Sequence, residues 1–342
     1  MTEAQLKDTI KKGEANLYVL YGAETYLVEQ YARLIARQTV EEGFDAFNLH
    51  RFDGQEVDAA QLEDAVEALP LMSDRKCVLV RDYDVAPDHE RVMKLTAQVP
   101  DSCVLVFWYV SAQPDGRKNV WKEFLKQAEQ VGVVMNFARK DVSDAAKMLA
   151  AGAKRRGCQL DVADARYLVE QVGNDLNLLL CELEKLCALV PDGVITRRHI
   201  DDACPKNLET RVFDLSKAIL RRRADEAYAL LHQLRVRREE PVAILGVLSN
   251  AFADLYRAKV AAAGGLTAES LAADFKSYKG KEFRLRNAER DVRRLSTDVL
   301  RECLSAILDA DLSLKSSRTA PRIVVEELLA KLLLITKKQS AM

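Results

Sequence analysis

Leu17-Tyr18-Val19-Leu20-Tyr21-Gly22-Ala23-Glu24-Thr25-Tyr26-Leu27 is a short apolar run, a single glycine and the start of a helical pattern. The first five residues are β-formers without a polar interruption. After Gly22, Leu27, Tyr31, Leu34 and Ile35 fall on one helical face. A strand, a glycine turn and a helix in this order form the junction at which nucleotide-binding domains carry G-x-x-x-x-G-K-[ST]. There the glycines let backbone N–H groups approach phosphates, the lysine holds the β/γ-phosphates and the hydroxyl binds Mg²⁺. This chain has one glycine, no lysine, and Glu24 where phosphate would lie. That carboxylate repels a triphosphate but suits a helix N-terminus. The junction predicts an NTPase-like architecture that does not hydrolyse nucleotide.

Outward from this junction the chain alternates. Strand-like runs fall near 17–21, 47–52, 76–81, 103–108 and 132–137, and helical patterns at about 24–39, 59–68, 88–97 and 119–129. Several of these strands are continuously apolar, as parallel strands covered on both faces must be. Five strands joined by crossover helices predict a doubly wound parallel α/β sheet. Beyond about residue 140 the strand signals stop. Residues 141–208 read as a small helical unit, with Leu179, Leu183, Leu186 and Val190 on one stripe, Asp161 as a helix N-cap and Gly157 as a C-cap. From 209 onward the pattern is again helical, punctuated by Pro241, Gly264-Gly265 and Pro321. The last helix is apolar over so much of its surface that it belongs in a bundle or against a partner.

Bulk properties exclude several classes. The chain has 342 residues, 49% hydrophobic and 30% charged, which fits a globular protein of two or three domains. Net charge is −1, so any nucleic-acid contact must be a local patch. The polar N-terminus predicts no secretory leader, and no run of apolar residues is long enough to span a bilayer. Seven cysteines without a C-x-x-C pair read as reduced core thiols of a cytoplasmic protein. The four histidines are far apart in sequence, with no H-E-x-x-H or G-x-S-x-G, so no catalytic or metal constellation and no cofactor is expected.

Two stretches stand out as candidate sites, and a third feature resembles a catalytic acid. Pro70 ends a helix, and Leu71 and Met72 follow it before polar Ser73-Asp74-Arg75-Lys76. Such a pair is either ordinary core under the sheet or an exposed plug for another protein's pocket, since a few anchors carry most interface energy. Residues 276–294 hold Lys276, Lys279, Lys281, Arg284, Arg286, Arg290, Arg293 and Arg294 against Glu282, Glu289 and Asp291, with Tyr278 and Phe283 interleaved. This is either a solvated helix face or a surface that neutralises phosphates and stacks a base. Asp82 and Asp84 follow the third strand, where a Mg²⁺-binding acid would lie; without a phosphate loop they read as turn residues. Arg221-Arg222-Arg223 and Arg235, Arg237 and Arg238 read as solvated helix ends, or as salt-bridge partners between subunits.

Tyr18-Val19-Leu20-Tyr21-Gly22 with Thr25-Tyr26-Leu27, then Pro70-Leu71-Met72-Ser73, then Val172-Gly173-Asn174-Asp175-Leu176 with Glu182-Leu183-Glu184-Lys185-Leu186, and finally Asp311-Leu312-Ser313-Leu314-Lys315 occur in one order along the whole chain. In that order the chain resembles the delta subunit of the bacterial DNA polymerase III clamp loader. The resemblance implies an AAA+-like, P-loop-less α/β domain over 1–140, a helical lid over 141–208 and a helical collar over 209–342. It implies a five-subunit ring with tau/gamma and delta-prime subunits, in the cytoplasm, and a subunit that binds no ATP itself. The zinc-binding cysteines and the Ser-Arg-Cys motif of the sister delta-prime subunit are missing here.

The resemblance also implies site roles. The family's Leu-Phe pair, inserted into the β sliding clamp, aligns with Leu71 and Met72, flanked by Pro70 and Ser73. The family's collar meets primer–template DNA, and one of its aromatics aligns with Phe283 among Lys281, Arg284, Arg286 and Arg290. A second aromatic position is lost to Ser316, Ser317 and Arg318, where Arg318 can still meet phosphate. The expected function is a non-catalytic subunit of the polymerase holoenzyme that binds and opens the clamp on primed DNA. The alternatives are a DNA-binding adaptor without a clamp partner and an NTPase with an atypical phosphate loop.

Overall fold

The structure, a computed structural model, describes residues 1–190, 192–275, 278, 282–293, 295–316 and 318–338. It divides into two units, Met1–Lys140 and Asp141–Met342.

The first unit opens with α1 (Glu3–Lys12), in a stretch whose sequence predicts only a polar terminus. A Thr2/Gln5 capping box starts it, left-handed Gly13 stops it, and only Leu6 and Ile10 are buried, too thin an apolar stripe to stand out by periodicity. There follow β1 (Leu17–Tyr21), α2 (Thr25–Thr39), α3 (Asp45–Asn48), β2 (Leu49–Asp53), α4 (Ala59–Glu67), β3 (Lys76–Arg81), α5 (His89–Ala97), β4 (Cys103–Trp108), α6 (Asn119–Val131) and β5 (Val133–Asn136). The five strands form one sheet in the order β2-β3-β4-β1-β5, and every pairing is parallel. Crossovers place helices on both faces, so β1, β3 and β4 carry apolar residues outward on each side. One face packs Val19, Val78, Val80, Leu105 and Phe107 against Leu62 of α4, Val92 of α5 and Trp121 and Phe124 of α6. Phe107 and Phe124 meet edge to face at 5.5 Å. α2 buries Leu27, Val28, Tyr31, Ile35 and Ala36, and Tyr31 stacks on Phe137 at 5.1 Å. The doubly wound parallel sheet expected is therefore present, with α3 and β2 sharing the stretch expected to be all strand.

The second unit contains α7 (Val142–Arg155), β6 (Gln159–Leu160), α8 (Val162–Val172), α9 (Leu176–Leu189), β7 (Val194–Ile195), α10 (Arg197–Ala203), α11 (Leu208–Leu220), α12 (Ala224–Val236), α13 (Pro241–Ala263), α14 (Ala268–Asp274), α15 (Glu282–Asp291), α16 (Thr297–Ser316) and α17 (Pro321–Lys338). The expectation that strands end at 140 is corrected by β6 and β7, two residues each and paired in parallel. A two-residue strand is too short to show alternation in sequence. The stripe Leu179, Leu183, Leu186 and Val190 is buried. The large helical core joins Val212, Ile219, Leu231, Leu248, Phe252, Leu300, Ile307, Leu328 and Leu332 from α11, α12, α13, α16 and α17. α17 buries Val324, Val325, Leu328, Leu329 and Leu332 and leaves Ile323 and Leu334 exposed. Among the described residues no helix is long and apolar enough to cross a membrane. Of the seven cysteine thiols, Cys181 is exposed and Cys187 half-buried rather than core.

Candidate functional site

The chain between α4 and β3 is short and irregular, and it presents apolar side chains to water. Leu69 is 85% exposed, Leu71 50% and Met72 81%, while Pro70 and Ser73 are half-buried. Met72 has φ +53°, a left-handed conformation that a non-glycine residue adopts only when its surroundings impose it.

The surroundings are polar and specific. Lys76, the first residue of β3, is fully buried, and its Nζ donates to the carbonyls of Ala65 and Ala68 at the end of α4. An ammonium on the last carbonyls of a helix satisfies acceptors that have no intrahelical donor and complements the helix dipole. Burial nonetheless pulls the Lys76 pKa below its ordinary 10.5. On the other side, Asn48 at the end of α3 is fully buried. Its Nδ2 donates to the Leu71 carbonyl at 2.9 Å, and its Oδ1 accepts the Leu71 N–H at 2.7 Å. At the exit, the Ser73 hydroxyl donates to the Arg75 carbonyl at 3.3 Å. The Arg75 guanidinium donates to the carbonyls of Asp101 at 3.1 Å and Gly13 at 3.3 Å, and also to Asn16 Oδ1. The loop is thus fixed through its backbone and its base while its apolar tips stay wet. Of these fasteners the sequence reading found none. Lys76 left a trace, a charge at the head of an apolar strand; Asn48 left none.

The phosphate-loop position is filled by protein. Gly22 has φ +130°, and a Cβ there would lie 2.4 Å from the Phe137 carbonyl oxygen, so only glycine fits against the chain leaving β5. The Gly22 N–H donates to Gln113 Oε1 at 2.9 Å, and the Glu24 N–H to the Phe137 carbonyl at 3.0 Å. The Glu24 carboxylate is buried and accepts the Lys140 N–H at 3.3 Å. Glu24 is the N-cap residue of α2, the helix N-terminus expected for it, without a side-chain cap hydrogen bond. Asp82 behaves as the turn residue expected. It sits at φ +51°, and its Oδ1 accepts the N–H groups of Val110, Ser111 and Ala112 at 2.7, 3.0 and 3.1 Å. Asp84 likewise accepts the Ala86 N–H at 3.0 Å.

The basic stretch divides into two kinds of cation. Arg284 is mostly buried and donates from Nε and Nη2 to Asp254 Oδ2 at 2.9 and 2.7 Å, with its guanidinium 5.7 Å from the Phe213 ring. Tyr278 is buried and donates to Asp254 Oδ1 at 2.6 Å, and Arg257 donates to its hydroxyl at 2.6 Å. Tyr278 therefore cannot stack on a base as its place among cations suggested; a buried carboxylate collects it instead, and burial raises its pKa. Arg286 and Arg290 on α15, and Arg318, are exposed. Among the described residues Arg290 has two loose neighbours, Asp291 at 3.6 Å and Asn287 at 3.4 Å. Lys276, Lys279, Lys281 and Arg294 lie outside the described residues, as does the side chain of Phe283. The other arginine clusters are helix ends: Arg222 and Arg238 are left-handed just past α11 and α12, while Arg235 pairs with Glu326 at 2.6 Å.

Comparison with known proteins bears on both units. A family model for DNA polymerase III, delta subunit, matches residues 18–134, and one for the delta subunit's C-terminal domain matches residues 209–332. The DNA polymerase III subunit delta of Bacillus subtilis is 25% identical over 333 residues, covering 95% of each chain. That of Escherichia coli is 23% identical over 314 residues, covering 91% of this chain and 89% of its own. The solved structure of the Bacillus subtilis DNA clamp loader delta protein superposes with a TM-score of 0.53 and 24% identity, covering 97% of this chain and 99% of its own. With two models of one family matched in order over well over half its length, and relatives aligned almost end to end, the chain belongs to the DNA polymerase III delta-subunit family.

Proposed function

We propose that this protein is the non-catalytic subunit of the polymerase III clamp loader that binds and opens the β sliding clamp on primed DNA. The observation that carries the reading is the loop after α4. Leu71 and Met72 are held out in water on a backbone fastened at Asn48 and Lys76. Large apolar tips on a fixed loop, between Pro70 and Ser73, suit insertion into a partner's pocket, where a few anchors supply most of the affinity. Clamp opening is then differential binding: the anchors stabilise the clamp conformation with one interface open. ATP is handled by the tau/gamma partners of a five-subunit ring that includes delta-prime, in the cytoplasm. Residues 141–208 serve as lid and 209–342 as the collar that joins the ring and meets primer–template DNA through Arg286, Arg290, Arg318 and the Lys281–Phe283 stretch.

The test is one double variant measured twice. Leu71→Ala/Met72→Ala should lose capture by the organism's own β clamp while its melting temperature stays near that of the wild type, because exposed apolar atoms contribute little to folding. If the pair were core, each truncation would destabilise the fold by about 2–5 kcal/mol, and a large melting shift would reject the plug. A calorimetric titration with ATP should show no binding to the isolated protein, since Gly22 and Glu24 already have protein partners. Micromolar affinity lost on Thr25→Ala would restore the NTPase reading.

A further inference from the structure

Besides Met1 and Val131, the exposed large apolar side chains of the first unit are Phe47, Leu69, Leu71 and Met72. Three belong to the loop after α4. The fourth, Phe47, is 57% exposed and sits on α3, one residue from the Asn48 amide that grips Leu71. Asn48 and Leu71 are 23 residues apart in sequence, and only the fold brings them together.

Asn48 is an unusual fastener. It makes with Leu71 the same donor and acceptor pair that a neighbouring strand would make, from a side chain with no exposed surface. The loop has no apolar tip in the core to fix it, so its conformation rests on such backbone bonds. Released, Leu71 and Met72 would sample other arrangements, and binding would have to order them again.

We propose that α3 is the second half of the clamp-contact surface: Asn48 is the positioning residue that holds Leu71 and Met72 ready, and Phe47 is a further apolar anchor on the clamp. This rests on the clamp-binding reading above. Phe47 has an aromatic face and few rotamers, the qualities of an anchor that loses little entropy on burial. A partner that receives Leu71 and Met72 would meet α3 beside them, because Asn48 ties the two segments at hydrogen-bond distance.

The experiment measures clamp affinity of the full chain together with amide exchange at residues 69–73. Leu71→Ala/Met72→Ala is the control, and if it binds the clamp as the wild type does, the clamp reading itself fails. With that control weakened, Asn48→Ala should lower clamp affinity about tenfold, the effect of two lost hydrogen bonds, and speed exchange at 69–73 without speeding it in β3. Asn48→Ser keeps a hydroxyl beside the Leu71 backbone without burying a charge, so it should fold even if Asn48→Ala does not, with a smaller loss. Phe47→Ala should also cost about tenfold, with unchanged exchange in the loop. Wild-type affinity in the Asn48 variants overturns the positioning role, even if exchange rises. Wild-type affinity in Phe47→Ala overturns the anchor.

Discussion

Met72 combines two features that seldom occur together, a large apolar side chain in water and a left-handed backbone. A non-glycine residue in that region costs about 1 kcal/mol or more relative to glycine. Nothing in the packing of the first unit needs the side chain, since it is 81% exposed. Stability and binding should therefore respond in opposite directions at this residue. Met72→Gly should leave the melting temperature unchanged or slightly raised, the relieved strain being offset in part by the greater freedom of glycine in the unfolded chain. Clamp affinity should fall about tenfold with the loss of one anchor. A melting temperature several degrees lower would mean that the side chain is packed, which would remove it from the contact surface. Asp82 illustrates the reverse case: also left-handed, it is buried with three N–H groups on one oxygen, so its conformation serves the fold.

α4, the loop and β3 act as one element joined by Lys76. Its ammonium is desolvated, which lowers its pKa from 10.5. Between that lowered value and 10.5 the unfolded chain still binds a proton that the folded chain has released. Stability contributed by this group consequently rises with pH through that window and is least below it. In Lys76→Met the group is gone and the carbonyls of Ala65 and Ala68 lose their donor, at a cost of about 1–3 kcal/mol. The difference in unfolding free energy between wild type and Lys76→Met should grow in favour of the wild type as pH rises toward 10.5. A difference flat with pH would show that the ammonium is not desolvated. Elements of this kind also show where sequence is informative. β1, β3 and β4 were legible because apolar runs covered on both faces leave no polar residue to blur them, and Gly22 was legible because the close approach of Phe137 admits no side chain. Leu71 and Met72 were legible as candidates, but not as exposed, because an apolar pair after a proline reads the same in a core or on a tip. The end of α3, Phe47 and Asn48, falls in a run that reads as strand, because four residues are too few to show a helical period. Arg284 and Tyr278 look like nucleic-acid ligands in sequence because charge counts along the chain do not register Asp254, which lies 30 and 24 residues earlier, respectively.

At the scale of the whole molecule a net charge of −1 gives no general attraction to nucleic acid, so the proposed DNA contact would require a local face. The second unit holds two kinds of cation on which that proposal can be tested. Arg284 is committed to buried Asp254, whereas Arg286, Arg290 and Arg318 are exposed. The two kinds should fail differently. Removing Arg284 leaves the Asp254 carboxylate buried with less compensation, so Arg284→Met should lower the unfolding free energy by about 3 kcal/mol while changing the salt dependence of DNA binding little. Arg286→Ala/Arg290→Ala/Arg318→Ala should leave the melt near wild type, since exposed ion pairs contribute at most about 1 kcal/mol. In the reconstituted clamp loader the triple variant should weaken primer–template binding. Each arginine that touches a phosphate releases counterions, so the slope of log affinity against log salt should shrink by about 0.7–0.9 per contact. An unchanged slope would make these arginines a solvated helix face and overturn their part in the proposed DNA contact. A changed slope with Arg284→Met and an unchanged one with the triple variant would invert the assignment, placing the phosphate contact at the buried pair.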